Sequence, residues 1–150
     1  MVSAELAIVQ LSATTAEGVI RALAQRLRAH GHVHAGFEAA AVARERRSPT
    51  GLPFEPRAVA LPHAEPEHVA TPAIAIATLA TPVRFREMGS PATQLEVSLV
   101  LMPALSAKEQ AGASLARIIE LLQDAALREE LALATTSSEI SAIFARKWAA

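Results

Sequence analysis

Ala73-Ile74-Ala75-Ile76-Ala77-Thr78-Leu79 is apolar almost throughout, and that continuity decides the fold class. A strand with one wet face alternates apolar and polar residues, whereas a strand without alternation is covered on both sides. Working outward, Ala58-Val59-Ala60-Leu61 reads as a second short buried strand, stopped by Pro62. Leu95 to Met102 reads as a third, alternating early and apolar late, with Pro103 at its end. Ala7 to Leu11 reads as a first strand. Thr81 to Ala92 is expected to be a long connection, with Val83 and Phe85 as a short strand and Met88-Gly89 as a turn. Helical spacing supplies the cover. Thr14 and Glu17 resemble a capping box ahead of a helix with Val19, Ile20, Leu23 and Leu27 on one face and Gly31 at its end. Further helices are expected over 37–47, 108–123, 126–133 and beyond Ser138, the last with Ile140, Ile143, Phe144 and Trp148 facing inward. The fold class is α/β, a small mixed β-sheet with helices on both faces.

At 150 residues the chain is expected to be a single domain, 1–150, with a core of about 6–147. Hydrophobic residues make up 51% and aromatics only 3%, so the core is aliphatic. A net charge of −1 argues against broad electrostatic attraction to nucleic acid, and no basic and aromatic residues interleave to restore it. The absence of cysteine excludes disulfides, zinc–thiolate sites and thiol catalysis on this chain, so any thiol chemistry must come from a partner. The N-terminal residues show no secretory pattern, and no stretch has the length of a membrane span. The expectation is a cytoplasmic protein without direct membrane insertion.

His63 stands at the exit of the Ala58–Leu61 run. A side chain there is held by the scaffold and meets a cleft, and histidine in that position serves as nucleophile, proton carrier or metal ligand. The nearby segment Arg44 to Glu55 brings Arg44, Arg46 and Arg47, the hydroxyls of Ser48 and Thr50, and Gly51. Guanidinium forks, hydroxyls and an approachable backbone suit a phosphoryl group carried on a neutral imidazole. The bland counterpart is a solvated helix end followed by a Pro-Thr-Gly turn. Two other chemistries compete. His30, His32, His34, His63 and His68 offer a weak metal pattern, but no third ligand matches, and Gly31 marks the first three as turn residues. A Ser-His-Asp hydrolase lacks the Gly-x-Ser-x-Gly elbow, and Asp124, the sole aspartate, lies in a helical context. Glu65 and Glu67 are the acids near His63; either is placed to orient its ring, against the commoner case of a solvated loop carboxylate.

An ordered set of segments carries a resemblance. Gly31-His32-Val33 precedes a helix ending in Arg44-Glu45, then come Pro49-Thr50-Gly51-Leu52, Ala58 to His63, and Glu67-His68-Val69. Pro82-Val83-Arg84-Phe85-Arg86-Glu87-Met88-Gly89 and Leu121-Leu122-Gln123-Asp124 complete it. The set resembles the enzyme IIA domains of the bacterial sugar phosphotransferase system, in the fructose/mannitol superfamily and most of all its galactitol-type branch. It runs from about Leu6 to Phe144.

The resemblance implies a phosphotransferase component with the fold of that superfamily and no cofactor or metal. Phospho-HPr would donate to His63 at Nε2, and the group would pass to a cysteine or similar acceptor on an enzyme IIB partner, which works with a membrane IIC component. Arg44 would steady the phosphoryl charge, Thr50 would hydrogen-bond near it, and Leu61, Leu52 and Phe54 would form an apolar rim. The sequence departs from the family at Ala64, where many relatives have glycine or threonine. It also lacks the second histidine that many mannitol and fructose relatives carry early in the late helix. The stretch here is Lys108-Glu109-Gln110-Ala111-Gly112, so Gln110 is the expected substitute donor. The alternative to transport is a regulatory module that binds partners according to its phosphorylation state, as implied by the nitrogen-related relatives. A third reading, a domain that keeps the fold without its donor, is countered by the intact His63.

Overall fold

The computed structural model describes residues 2–107 and 113–150. Strand β1, Ala7–Leu11, leads to helix α1, Ala16–Ala29, capped by the Thr15 side chain, which accepts from the Gly18 N–H. The expected box on Thr14 is therefore displaced by one residue. Glu17 is spent on Arg21 and Arg46 instead. Val19, Ile20, Leu23 and Leu27 are all buried. Helix α2 spans Phe37–Arg47, as its pattern predicts.

Two short strands, β2 (Gly51–Leu52) and β3 (Ala58–Ala60), precede two long ones, β4 (Ala73–Glu87) and β5 (Ser90–Ala104). β4 and β5 form one antiparallel hairpin from Ala73↔Ala104 to Glu87↔Ser90. The expected connection over Thr81–Ala92 is thus mostly strand, closed by Met88-Gly89. Exposed Pro82 lies inside a register shift between Thr78 and Val83, where a residue without an N–H is tolerated. Beyond the shift Val83 and Phe85 turn inward while Arg84 faces solvent.

β1 joins β4 in parallel, β3 joins β5 in parallel, β2 runs antiparallel to β3, and Gly51 bridges Glu87 at the end of β4. The order is β1-β4-β2-β3-β5, and the β4–β5 pairing links the last four strands in a ring. β1 carries an irregularity at Gln10, whose φ is 54° and whose N–H donates to the Thr78 hydroxyl at 2.9 Å.

Helices α3 (Ala113–Leu122), α4 (Ala125–Leu133) and α5 (Ser137–Ala149) complete the described chain. Period-two alternation splits the central strands between two cores. Ala73, Ala75, Ala77, Val100 and Met102 pack with Ile20, Leu23, Leu27 and Phe37 of α1 and α2. Ile74, Ile76, Leu99 and Leu101 pack with Ile118, Leu122, Leu131, Ile140 and Phe144 of α3 to α5. On the first face the bulk comes from the helices and the sheet is mostly small; on the second both sides are large. Each fully buried Leu, Ile or Phe stabilises the fold by about 1.5–3 kcal/mol, so the two cores form a stiff plate from which β3 delivers His63.

Candidate functional site

The site begins where α2 ends. Glu45 lies in its last turn, a place where the helix dipole disfavours an acid, and it is buried. The Thr50 N–H donates to one of its oxygens at 2.9 Å and the Thr50 hydroxyl donates to the other at 2.7 Å. Burial pushes the Glu45 carboxyl above its ordinary range, opposed by these two bonds and by Arg86 and Arg44. The same Thr50 hydroxyl accepts the Leu61 N–H at 3.1 Å. Gly51 brings this segment against β4, since a Cβ there would stand 2.6 Å from the Arg86 carbonyl oxygen. A strut of Glu45, Thr50 and Leu61 therefore fixes the chain just ahead of Pro62-His63.

The Leu61 carbonyl then meets the His63 ring, with Nδ1 at 2.8 Å. A carbonyl only accepts, so Nδ1 carries the hydrogen and Nε2 keeps its lone pair. Nε2 has no hydrogen-bond partner among the described residues. His63 is only 8% exposed. Burial pulls its pKa below the ordinary imidazole range; the Leu61 bond opposes this, Arg44 adds to it and Glu65 works against it. The ring is thus neutral near pH 7, oriented, and equipped with one available nitrogen.

Arg44 and Arg47 reach the same loop from α2. Glu65 lies 2.5 Å from Arg47 and 3.7 Å from Arg44, and its own backbone N–H followed by these arginines holds its carboxyl below the usual range. The Arg44 Nε is buried without a partner among the described residues. Arg86 donates to the Glu45 carbonyl at 3.5 Å and to that of Arg46, steadying the end of α2.

The structure therefore brings together three of the residues singled out in the sequence. His63 stands at the strand exit, Arg44 acts on its ring, and Thr50 is tied to Leu61. The Thr50 hydroxyl is engaged on both sides. Gln110 lies outside the described residues. Leu61, expected in an apolar rim, is 1% exposed and belongs to the core below; Leu52 and Phe54 are half-buried. Glu65, one of two acids weighed as ring-orienting or solvated, is held by the arginines, and a backbone carbonyl orients the ring. Glu45 was missed as a support, although an acid in the last turn of a helix was a signal for it. Among the described residues no three histidines and carboxylates converge as metal ligands would, and no helix is long and apolar enough to cross a membrane.

A family model described as "Phosphoenolpyruvate-dependent sugar phosphotransferase system, EIIA 2" matches residues 1–147. The chain belongs to this family. No curated protein matches it. Solved structures share its fold. A putative PTS IIA (PtxA) from Streptococcus mutans shares 24% identity, with 100% of this chain and 97% of that one covered at a TM-score of 0.78. The complex of enzyme IIAMTL and phosphorylated enzyme IIBMTL from Escherichia coli gives 23%, 97% and 98% at 0.81. The nitrogen regulatory protein IIA-Ntr from Neisseria meningitidis gives 21%, 95% and 94% at 0.76. These likenesses are of fold, and they agree with the EIIA 2 mixed sheet flanked by helices.

Proposed function

We propose that this EIIA 2 chain is a histidine phosphocarrier that accepts a phosphoryl group from phospho-HPr on His63 and passes it to an enzyme IIB partner for uptake of a galactitol-like carbohydrate. The observation that carries the reading is the His63 ring itself, with Nδ1–H fixed on the Leu61 carbonyl and Nε2 without a hydrogen-bond partner among the described residues. The Nε2 lone pair attacks phosphorus and forms the N–P bond. The donor's P–N bond breaks, and its electron pair returns to the donor nitrogen. No proton need move, because the Nδ1–H···O=C bond supports the positive charge that develops on the ring. Onward transfer repeats the displacement with an acceptor thiolate, which the partner supplies because this chain has no cysteine. Arg44 holds the phosphoryl oxygens, and Glu45 and Thr50 hold the loop. Pro82 to Gly89 supports the galactitol-type assignment.

Incubation with enzyme I, HPr and phosphoenolpyruvate is expected to give an acid-labile, base-stable adduct that His63→Gln prevents. An undiminished adduct in that variant would move the site elsewhere, with His68 the first suspect.

A further inference from the structure

Glu65 makes no hydrogen bond to the His63 ring, which is held by the Leu61 carbonyl, yet it bridges Arg44, whose charge acts on the ring, and Arg47. Its carboxylate takes a hydrogen bond from Arg47 at 2.5 Å and lies 3.7 Å from Arg44. The Arg44 side chain is part-exposed and that of Arg47 exposed, and the Arg44 Nε has no partner among the described residues. Arg44 and Glu65 act on the His63 ring with opposite sign. A phosphoryl group on Nε2 would bring close to two negative charges to a place where an anion already holds the cations. Both anions cannot keep the same forks, and like charges repel.

We infer that Glu65 is a resident stand-in for the phosphoryl group: it holds Arg44 and Arg47 in the empty state, yields Arg44 when His63 is phosphorylated, and reclaims it when the group leaves. This rests on the phosphocarrier reading. The transfer itself is the displacement already written, with one ion pair exchanged alongside it: Arg44···Glu65 opens as Arg44···phosphoryl forms. Glu65 thereby sets how tightly the phosphoryl group is held. Without it the arginines would be free for the group and His63 would retain it longer; with it the loaded and empty states lie closer in free energy, as a carrier requires. Glu67, exposed in the same loop, forms no hydrogen bond or ion pair with these arginines and provides the control for net charge.

The test is the equilibrium between phospho-HPr and this protein. Glu65→Gln keeps an acceptor for Arg47 and removes the charge. It is expected to shift the balance toward phosphorylated His63 by about threefold to tenfold and to slow onward transfer, while Glu67→Gln leaves both unchanged. Equal shifts in the two variants, or none in Glu65→Gln, overturn the inference. A second arm is independent of HPr: wild-type protein is phosphorylated with phosphoramidate, and the Glu65 carboxyl carbon and Arg44 Nε–H are followed by NMR. Both signals are expected to move together. A Glu65 signal unchanged by phosphorylation overturns the inference even if the carrier reading stands. Loading by phosphoramidate but not by phospho-HPr removes that reading while this arm still decides the role of Glu65. A His63 loaded by neither donor overturns both.

Discussion

Two histidines in this molecule make the same kind of contact with opposite consequences. His63 sets Nδ1 2.8 Å from the Leu61 carbonyl, and His32 sets Nδ1 3.3 Å from the Thr71 carbonyl. His32 lies part-exposed in the α1–α2 turn, after Gly31. Water reaches it, and the longer contact fixes its tautomer weakly. His63 is buried at the end of β3, and its carbonyl partner is itself held through Thr50 and Glu45. The contrast shows that a ring-to-carbonyl bond does not make a nucleophile. On the phosphocarrier proposal, the support beneath the carbonyl, the loss of water and the nearby Arg44 charge set His63 apart from His32.

The sharpest way to erase the difference is to cut the support. Thr50→Val keeps the shape, removes the hydroxyl, and leaves the Leu61 N–H and one Glu45 oxygen unsatisfied in a buried place. Each such group costs about 1–3 kcal/mol, so urea unfolding should show a loss of about 2–6 kcal/mol. Phosphoryl acceptance should fall at least tenfold at temperatures where the variant is folded. Unchanged stability would mean that the strut is incidental.

Arg44→Ala should come next. A hydrogen bond to a charged group contributes about 1.5–3 kcal/mol, which predicts transfer slower by about tenfold to a hundredfold in stopped-flow assays. Stability should change by less than about 1 kcal/mol, because part-exposed ion pairs contribute little. Transfer at the wild-type rate would remove Arg44 from the site.

The pH dependence gives a smaller effect with a defined sign. The folded pKa of His63 lies below the ordinary 6.5. Its neutral form therefore contributes stability that is present above pH 6.5 and is lost as pH falls through the folded pKa. Phosphoryl acceptance should decline over the same interval, as the lone pair on Nε2 is protonated. NMR titration of the ring checks the midpoint, and a value above 6.5 would contradict the burial argument. Smallest of all, His32→Ala should leave transfer unchanged and alter stability by no more than about 0.5 kcal/mol.

Much of the fold was legible because it rests on patterns that physics enforces. The unbroken Ala73–Leu79 run requires two covered faces, and the period of α1 names its buried residues. The hairpin extension was hidden by Pro82 and by exposed Ala80 to Pro82, which read as a break; a bulge absorbs them, and tertiary pairing carries the strand on. At the site, His63 was visible because proline and a buried strand frame it. Leu61 was misplaced although period two was available: it shares a face with Val59, and both belong to the same core. The strut was hardest to see. A carboxylate in Arg44-Glu45-Arg46-Arg47 looks solvated, and only the fold shows that Thr50 turns back to bury it.

The most direct measurement is long-range nitrogen–proton NMR on protein labelled at histidine, before and after loading with phosphorus. The account predicts that resting His63 is a neutral ring with hydrogen on Nδ1, and that the loaded ring couples phosphorus to Nε2 while Nδ1 remains protonated. Hydrogen on Nε2 in the resting ring, or phosphorus on Nδ1 in the loaded one, would contradict it.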